Sequence, residues 1–294
     1  MTEVSRTPPN DVAERKPRDD EIDVYGLTHP GTVRPINQDH FLVCQLKRDL
    51  VIHSTSLPDV AGLGGSPERL AFLAMVADGV GGGPMGEEAS RVAVESITDY
   101  VAQCTRCYYA AVTTDEEEFT AALSDAALQS HTAVSRRAES DPAHRGMATT
   151  LTLWIGVWPD VYLLQVGDSR CYMLRKGVLT QLSRDQTMAQ EMVDQGLLPA
   201  AQAAATRWSN VLSSSIGGRQ TMPVVTHVRN DWDTTWMLCS DGLTRHVTDG
   251  RIQERLSTMA SAREACDTLL QDALDGGGSD NITIIVGRTA RKEM

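Results

Sequence analysis

The chain has 294 residues, is 41% hydrophobic and carries a formal net charge of −12. That length and apolar content suffice for a large core in one or two domains. The acidic balance argues against a general nucleic-acid binder, which needs a basic stripe, and against binding to an anionic membrane surface. No apolar run reaches the roughly 18 residues of a membrane span.

The first 20 residues contain few apolar side chains, which predicts a disordered tail before one domain at residues 21–290. Strands are predicted at 22–27 and 40–44, and a flexible loop rich in Gly, Ser and Pro at 53–69. The apolar run that starts at Ala71 predicts a buried central strand ending in Asp78.

Two helices are predicted next, because apolar residues recur at i, i+3 and i+4 over 86–104 and 116–138. The elements predicted after them are strands at 151–157, 161–166, 171–174 and 178–182, helix-prone residues 187–206, a strand at 234–239, helices at 252–259 and 261–274, and a last strand at 282–286. Tight turns between the short strands indicate antiparallel pairing. Helix pairs after blocks of strands predict an α+β fold, with helices outside two antiparallel sheets.

The six cysteines lie mostly in apolar runs, and the polar first 20 residues show no secretory signal. We therefore expect reduced thiols in a cytoplasmic protein. Cys104 and Cys107 have the spacing of half a zinc site, but no second pair lies nearby, so we interpret them as part of an amphipathic helix.

Aspartates recur at the ends of apolar strands. Asp78, Asp168 and Asp241 each follow such a run, and Asp280 precedes one. An unpaired carboxylate at the edge of a core is unfavourable. The repetition predicts one shared cationic partner, most simply a pair of divalent metal ions.

The glycine run after Asp78 fits the pattern G-x-G-x-x-G over residues 81–86, between a strand and a helix. A dinucleotide-binding fold would need a parallel strand after that helix, ending in an acidic residue. A second helix follows instead, so we expect the glycines to let a backbone group approach a ligand or metal beside Asp78.

Five motifs occur in a fixed order, and Gly146-Met-Ala-Thr-Thr150 lies among them. The motifs are Arg34 with Asn37-Gln38-Asp39, Asp78-Gly79, Gly167-Asp168-Ser169-Arg170, Ser240-Asp241-Gly242 and Asp280-Asn281. In order and interval they resemble the bacterial metal-dependent serine/threonine protein phosphatases (the PPM or type 2C family). The resemblance covers about residues 22–288.

The resemblance implies a four-layer α/β/β/α sandwich with a binuclear Mn²⁺ or Mg²⁺ centre at one end. Asp78 would bridge both ions, the Gly79 carbonyl would bind one, and Asp241 and Asp280 would complete the other. Asp39 would act through metal-bound water, and Asp168 would hold a weaker third ion with Asp241. By the same match, the phosphate-binding residue would be Arg34, and residues 187–213 would be a mobile flap.

Hard oxygen ligands suit Mg²⁺ or Mn²⁺, and two such ions produce a hydroxide from a bridging water near neutral pH. That hydroxide is expected to attack phosphoserine or phosphothreonine while the ions and the Arg34 guanidinium offset the phosphate charge. Ser169 and the serines at 213–215 lack a histidine partner, so we expect them to be structural. His40 is also expected to be structural, because it faces the opposite side of its strand from Asp39.

Three positions depart from the family pattern, and one of them, Ala148 in place of the usual glycine of the Gly-Met-Gly-Thr-Thr signature, has little bearing on the chemistry. Gln38 replaces a common Glu, and Val80 replaces a histidine proposed as the general acid in eukaryotic members, which leaves the general acid unassigned. The expected partners are phosphorylated proteins and a cognate kinase. Two alternatives stay open: a catalytically weak phosphoprotein-binding relative, motivated by Gln38, and another two-metal phosphoester hydrolase, which would usually mix His with Asp.

Overall fold

The computed structural model describes residues 15–48, 68–81, 84–103 and 116–291. Its strands are β1 (Ile22–His29), β2 (Asp39–Arg48), β3 (Glu68–Val80), β4 (Ala148–Thr149), β5 (Leu151–Val157), β6 (Asp160–Val166), β7 (Arg170–Arg175), β8 (Val178–Gln181), β9 (Val224–Arg229), β10 (Thr235–Cys239) and β11 (Ile282–Thr289). Its helices are α1 (Pro84–Gln103), α2 (Glu116–Ser140), α3 (Met188–Asp194), α4 (Ala200–Ala203), α5 (Asp241–Thr244), α6 (Asp249–Thr258) and α7 (Ala262–Asp275).

The strands form two sheets, and every strand pair is antiparallel. The first sheet has the order β1-β11-β10-β7-β8, and the second has the order β2-β3-β5-β6-β9 with β4 paired to β3. This is the predicted α+β sandwich of two antiparallel sheets flanked by helices. Because both neighbours of β3 are antiparallel to it, the glycine run after β3 does not belong to a dinucleotide-binding fold.

Three apolar clusters hold the four layers together. Helices α1 and α2 pack on the second sheet, and α6 and α7 pack on the first. Strand β3 shows why its sequence is a continuous apolar run: Met75 faces the helices, whereas Ala74 and Val76 face the other sheet. Successive residues of a strand point to opposite faces, so a strand covered on both sides buries every residue.

Some predictions of local structure differ from the structure; for example, Glu68 and Arg69 of the predicted loop belong to β3. Strand β9 was not predicted, because its exposed edge position leaves only a weak apolar alternation. Residues 15–20 also lie in the predicted tail, yet Arg15 pairs with buried Glu21 at 2.6 Å and Asp19 begins a short 3₁₀ helix. Residues 15–20 are thus held by ion pairs and by the burial of Pro17.

Several predictions fall on residues outside the described ranges. They concern residues 1–14 of the tail, residues 53–67 of the loop, Gly82 and Gly83, and the Cys104–Cys107 pair. The four described cysteines, Cys44, Cys171, Cys239 and Cys266, are free thiols. No helix in the described ranges combines the length and the apolar character needed to cross a membrane. The cytoplasmic location stays a prediction.

Candidate metal centre

The ends of both sheets bring the predicted carboxylates to one edge of the sandwich. Asp39 opens β2 and lies directly opposite Asp78 in β3. Directly opposed residues of antiparallel strands project from the same face. From the first sheet, Asp241 opens α5 straight after β10, and Asp280 precedes β11. Each sheet therefore contributes two of these four carboxylates.

Asp39 lies where the two sheets meet. Its Oδ2 accepts a hydrogen bond of 2.7 Å from the Thr283 hydroxyl of the other sheet. Its Oδ1 is buried and has no hydrogen-bond partner among the described residues. Burial raises the pKa of Asp39 to about 7, although the hydroxyls of Thr283 and Ser240 act in the opposite direction.

The backbone of Asp78 is fixed by Thr149 and Thr150, the last two residues of the Gly-Met-Ala-Thr-Thr motif. Its N–H donates to the Thr150 hydroxyl at 2.9 Å. Its carbonyl accepts from the Thr150 N–H at 2.9 Å and from the Thr149 hydroxyl at 2.8 Å. Burial, followed by the carboxylate of Asp39, raises the pKa of Asp78 well above its usual value. The surroundings of Asp78 therefore carry an excess of negative charge.

Gly79 stands where three backbone segments meet. Its N–H donates to the Gln38 carbonyl at 3.2 Å, and a Cβ at Gly79 would lie 2.6 Å from that same oxygen. The carbonyl of Gly86, at the start of α1, would be closer still. Only glycine allows this approach of the three backbone segments.

Asn281 holds the loop that carries Arg34 over the site. Its Oδ1 accepts from the Gln38 N–H at 2.8 Å, and its Nδ2 donates to the Pro30 and Ile36 carbonyls, each at 3.0 Å. Arg34, within this loop, pairs through Nη2 with Asp280 Oδ2 at 2.8 Å. The predicted phosphate-binding arginine and a predicted metal ligand are therefore in direct contact.

Arg245 is a site residue that the sequence analysis missed. It directly follows α5, and its guanidinium binds Asp241, four residues earlier, and approaches Asp280 Oδ2 at 3.4 Å. The four-residue spacing between Asp241 and Arg245 could have indicated this pair, since residues i and i+4 of a helix share a face. Burial raises the pKa of Asp241, and Arg245 opposes this rise.

Asp168 lies on the wall of a cavity of about 550 Å³ beside Asp241. Burial, and then the carboxylates of Asp241 and Asp185, raise the pKa of Asp168 to about 8. Helices α3 and α4 lie in the predicted flap, residues 187–213, and Gln190 and Ala200 line the same cavity. The predicted third-ion residue and the predicted flap thus border one space.

Two residues that were expected to be structural have contacts of that kind. The buried Ser169 hydroxyl lies 2.8 Å from the Thr150 hydroxyl, and the Ser169 carbonyl accepts from Thr152 at 2.9 Å. His40 Nδ1 lies 2.9 Å from the Ser90 hydroxyl of α1. Both side chains thus link elements of the fold.

The donor set fits a hard divalent cation. It consists of carboxylate oxygens with raised pKa values, a glycine carbonyl and the unpartnered Asp39 Oδ1, all of which suit Mn²⁺ or Mg²⁺. In the described ranges, no group of three or more His, Cys, Asp or Glu side chains is arranged to hold an ion without rearrangement. Arg34 and Arg245 instead occupy oxygens of Asp280 and Asp241.

The raised carboxyl pKa values predict how stability depends on pH in a chelator. The folded-state pKa of Asp39 is about 7 against 3.8 for the free group, so its stabilising contribution is complete below about pH 4 and is lost as pH rises through 7. At about 1.4 kcal/mol per pKa unit, Asp39 alone implies a loss on the order of 4 kcal/mol. The pKa of Asp168, raised to about 8, extends the pH range over which stability is lost toward pH 8. Urea unfolding in chelator should show lower stability at about pH 8 than at about pH 5.5.

Asp39→Asn provides the control for this pH dependence, because an amide does not titrate in this range. Its unfolding free energy should fall less between the two pH values than that of the parent protein. A parent protein whose stability is flat or rises toward pH 8 would contradict the prediction.

Comparison with known proteins finds relatives of this chain. A family model described as protein phosphatase 2C matches residues 63–276. Serine/threonine protein phosphatase PstP of Mycobacterium tuberculosis is 32% identical over 220 residues, which cover 74% of this chain and 40% of that protein. Serine/threonine phosphatase stp of Listeria monocytogenes is 32% identical over 215 residues, covering 73% and 83%. The chain thus spans about two fifths of PstP and most of stp.

A solved structure extends the similarity over nearly the whole chain. The catalytic domain of PstP in complex with two manganese ions superposes with a TM-score of 0.70 at 27% identity. The match covers 92% of this chain and 99% of that one.

Proposed function

Because this chain belongs to the protein phosphatase 2C family, we propose that it is a metal-dependent enzyme that removes phosphate from phosphoserine and phosphothreonine in proteins. The observation that carries the proposal is the meeting of Asp39, Asp78, Asp241 and Asp280 at one edge of the two sheets, with Arg34 beside them. The curated relatives are named serine/threonine phosphatases, and PstP binds two manganese ions in its solved structure.

The proposed centre holds two divalent ions, either Mn²⁺ or Mg²⁺. Asp78 would contact both, the Gly79 carbonyl would bind one, and Asp241 and Asp280 would bind the other. Asp39 would act through water, and Asp168 with Asp241 would take a third ion. When bound, the pair of ions would supply hydroxide from water near neutral pH and positive charge to offset that of the phosphate.

The protein's own groups orient the substrate in this proposal. Arg34 is half-exposed on the loop held by Asn281, and a planar guanidinium binds two phosphate oxygens at once. Arg34 must leave Asp280 to do so, which frees a carboxylate oxygen for a cation. Ser169 is buried and bonded to Thr150, so it has no role as a nucleophile here.

The proposed partners are phosphorylated proteins and a cognate serine/threonine kinase. The relatives' names support the chemical class of substrate, and both the substrate class and the kinase are part of this proposal.

Hydrolysis of three substrates, each with Mn²⁺ and with chelator, tests the proposal. The substrates are p-nitrophenyl phosphate, a phosphothreonine peptide and bis-p-nitrophenyl phosphate. We expect turnover of the two monoesters with Mn²⁺, none in chelator and little turnover of the diester. Binding of the peptide without turnover would instead support the phosphoprotein-binding alternative, and a preference for the diester would support another two-metal hydrolase.

A further inference from the structure

Arg245 forms ion pairs with two of the residues assigned to the metal centre. Its guanidinium binds Asp241, and its Nη1 lies 3.4 Å from Asp280 Oδ2. Arg34 contacts the same Asp280 oxygen at 2.8 Å. The carboxylate oxygens of the first sheet are thus already bound to positive charge that belongs to the protein.

The burial of these groups makes the Arg245 pair stronger than an ordinary surface pair. The side chain of Arg245 is 31% exposed, and that of Asp241 is 18% exposed. Partial removal from water raises the effective Coulomb interaction, and a guanidinium stays charged at any pH that the fold survives. The Arg245 charge also interacts with Asp78, across from it in the other sheet.

A divalent ion and the Arg245 guanidinium need the same oxygens. An Asp241 oxygen that accepts a charged hydrogen bond is not free to bind a cation, and two cations held this close repel each other. Resting on the proposed metal-dependent function, we propose that Arg245 competes with the divalent cation for Asp241 and Asp280 and thereby sets the affinity of this chain for the cation.

The structure provides a place for the displaced guanidinium. Arg245 lines the cavity of about 550 Å³ beside the site, together with Asp168 and Asp185. Asp185 already pairs with Arg170 at 2.7 Å, whereas Asp168 is the residue assigned to a third ion. An Arg245 side chain that turns into this cavity therefore meets Asp168 and also opposes binding of a third ion.

The test compares Arg245→Ala with Arg255→Ala in the full chain. Arg255 is a matched control because its pair with Asp272, at 2.7 Å, has side-chain exposures of 29% and 15%, close to those of Arg245 and Asp241. The Mn²⁺ dissociation constant is measured by isothermal titration calorimetry. Melting temperatures are measured in chelator and in saturating MnCl₂.

We expect Arg245→Ala to bind Mn²⁺ about tenfold more tightly than the parent. Its melting temperature should fall in chelator, where the carboxylates lose their partner, and recover in MnCl₂. Arg255→Ala should lower both melting temperatures alike and leave the Mn²⁺ affinity unchanged. Arg245→Gln, which removes the charge but keeps a long polar side chain, should repeat the gain in affinity, and Arg245→Lys should stay near the parent.

Equal or weaker Mn²⁺ binding by both Arg245→Ala and Arg245→Gln would overturn the role of Arg245. If the parent still hydrolyses phosphomonoesters with Mn²⁺, the proposed function survives that result. A parent that binds no Mn²⁺ and hydrolyses nothing would overturn both proposals.

Discussion

Asp78→Asn is expected to lower turnover of p-nitrophenyl phosphate on the order of 10³-fold. Loss of a residue that only orients a metal ligand already lowers metal affinity or activity about 10- to 100-fold, and Asp78 would be a ligand itself. In the proposed centre Asp78 is the one side chain shared by both ions, so its amide should also weaken Mn²⁺ binding. Stability should move the other way. A neutral amide removes a buried charge that Asp39 and Asp241 repel, so the melting temperature in chelator should rise.

The opposite signs of these two effects separate a ligand from a structural residue. Turnover, Mn²⁺ affinity by calorimetry and the melting temperature in chelator are measured on the same preparation. Asp125→Asn makes the same chemical change on an exposed face of α2 and should alter none of them. Undiminished turnover in Asp78→Asn would remove Asp78 from the site, and a large drop in melting temperature would make its role structural.

Arg34→Ala should lower kcat/KM for phosphomonoesters about 10²-fold, the magnitude found when one preorganised donor to a developing charge is removed. The loop that carries Arg34 is held by Asn281, so the loop should keep its place without the guanidinium. Arg34→Lys should restore only part of the loss, because an ammonium keeps the charge but not the two-pronged contact. Steady-state kinetics in MnCl₂ measures each parameter.

Inhibition by inorganic phosphate gives a second readout for Arg34. Arg34→Ala should need a higher phosphate concentration for half inhibition, while Mn²⁺ should still bind. Arg263→Ala, whose side chain is 72% exposed on α7, is the control and should behave like the parent. An Arg34→Ala variant with normal kinetics and normal phosphate inhibition would exclude a phosphate contact.

Much of the fold was predictable because its strongest signals are local. The apolar run that ends in Asp78 is buried on both faces, and its composition shows this without any partner strand. The start of α7 was predicted from Ser261, whose hydroxyl accepts from the Glu264 N–H at 3.1 Å. The aspartates were predictable for a related reason, since a charge at the end of an apolar strand is itself unusual.

The remaining features depend on contacts between distant residues. Arg245 is one arginine among many, and only the folded chain brings it to Asp280 in addition to its helical neighbour Asp241. The ordered residues 15–20 depend on ion pairs such as that of Asp19 with Lys47, at 2.9 Å. Composition cannot reveal such pairings, because charged segments of this kind usually remain solvated.

The apolar layer between the sheets has a consequence for the ions the site would prefer. Asp39 and Asp78 belong to one sheet, and Asp241 and Asp280 lie at the end of the other. Buried side chains such as Ala74 and Leu238 fill the space between the sheets. The thickness of that filling sets how far apart the two halves of the acidic cluster stand. We expect a larger side chain at one of these buried positions to move Asp39 and Asp78 away from Asp241 and Asp280.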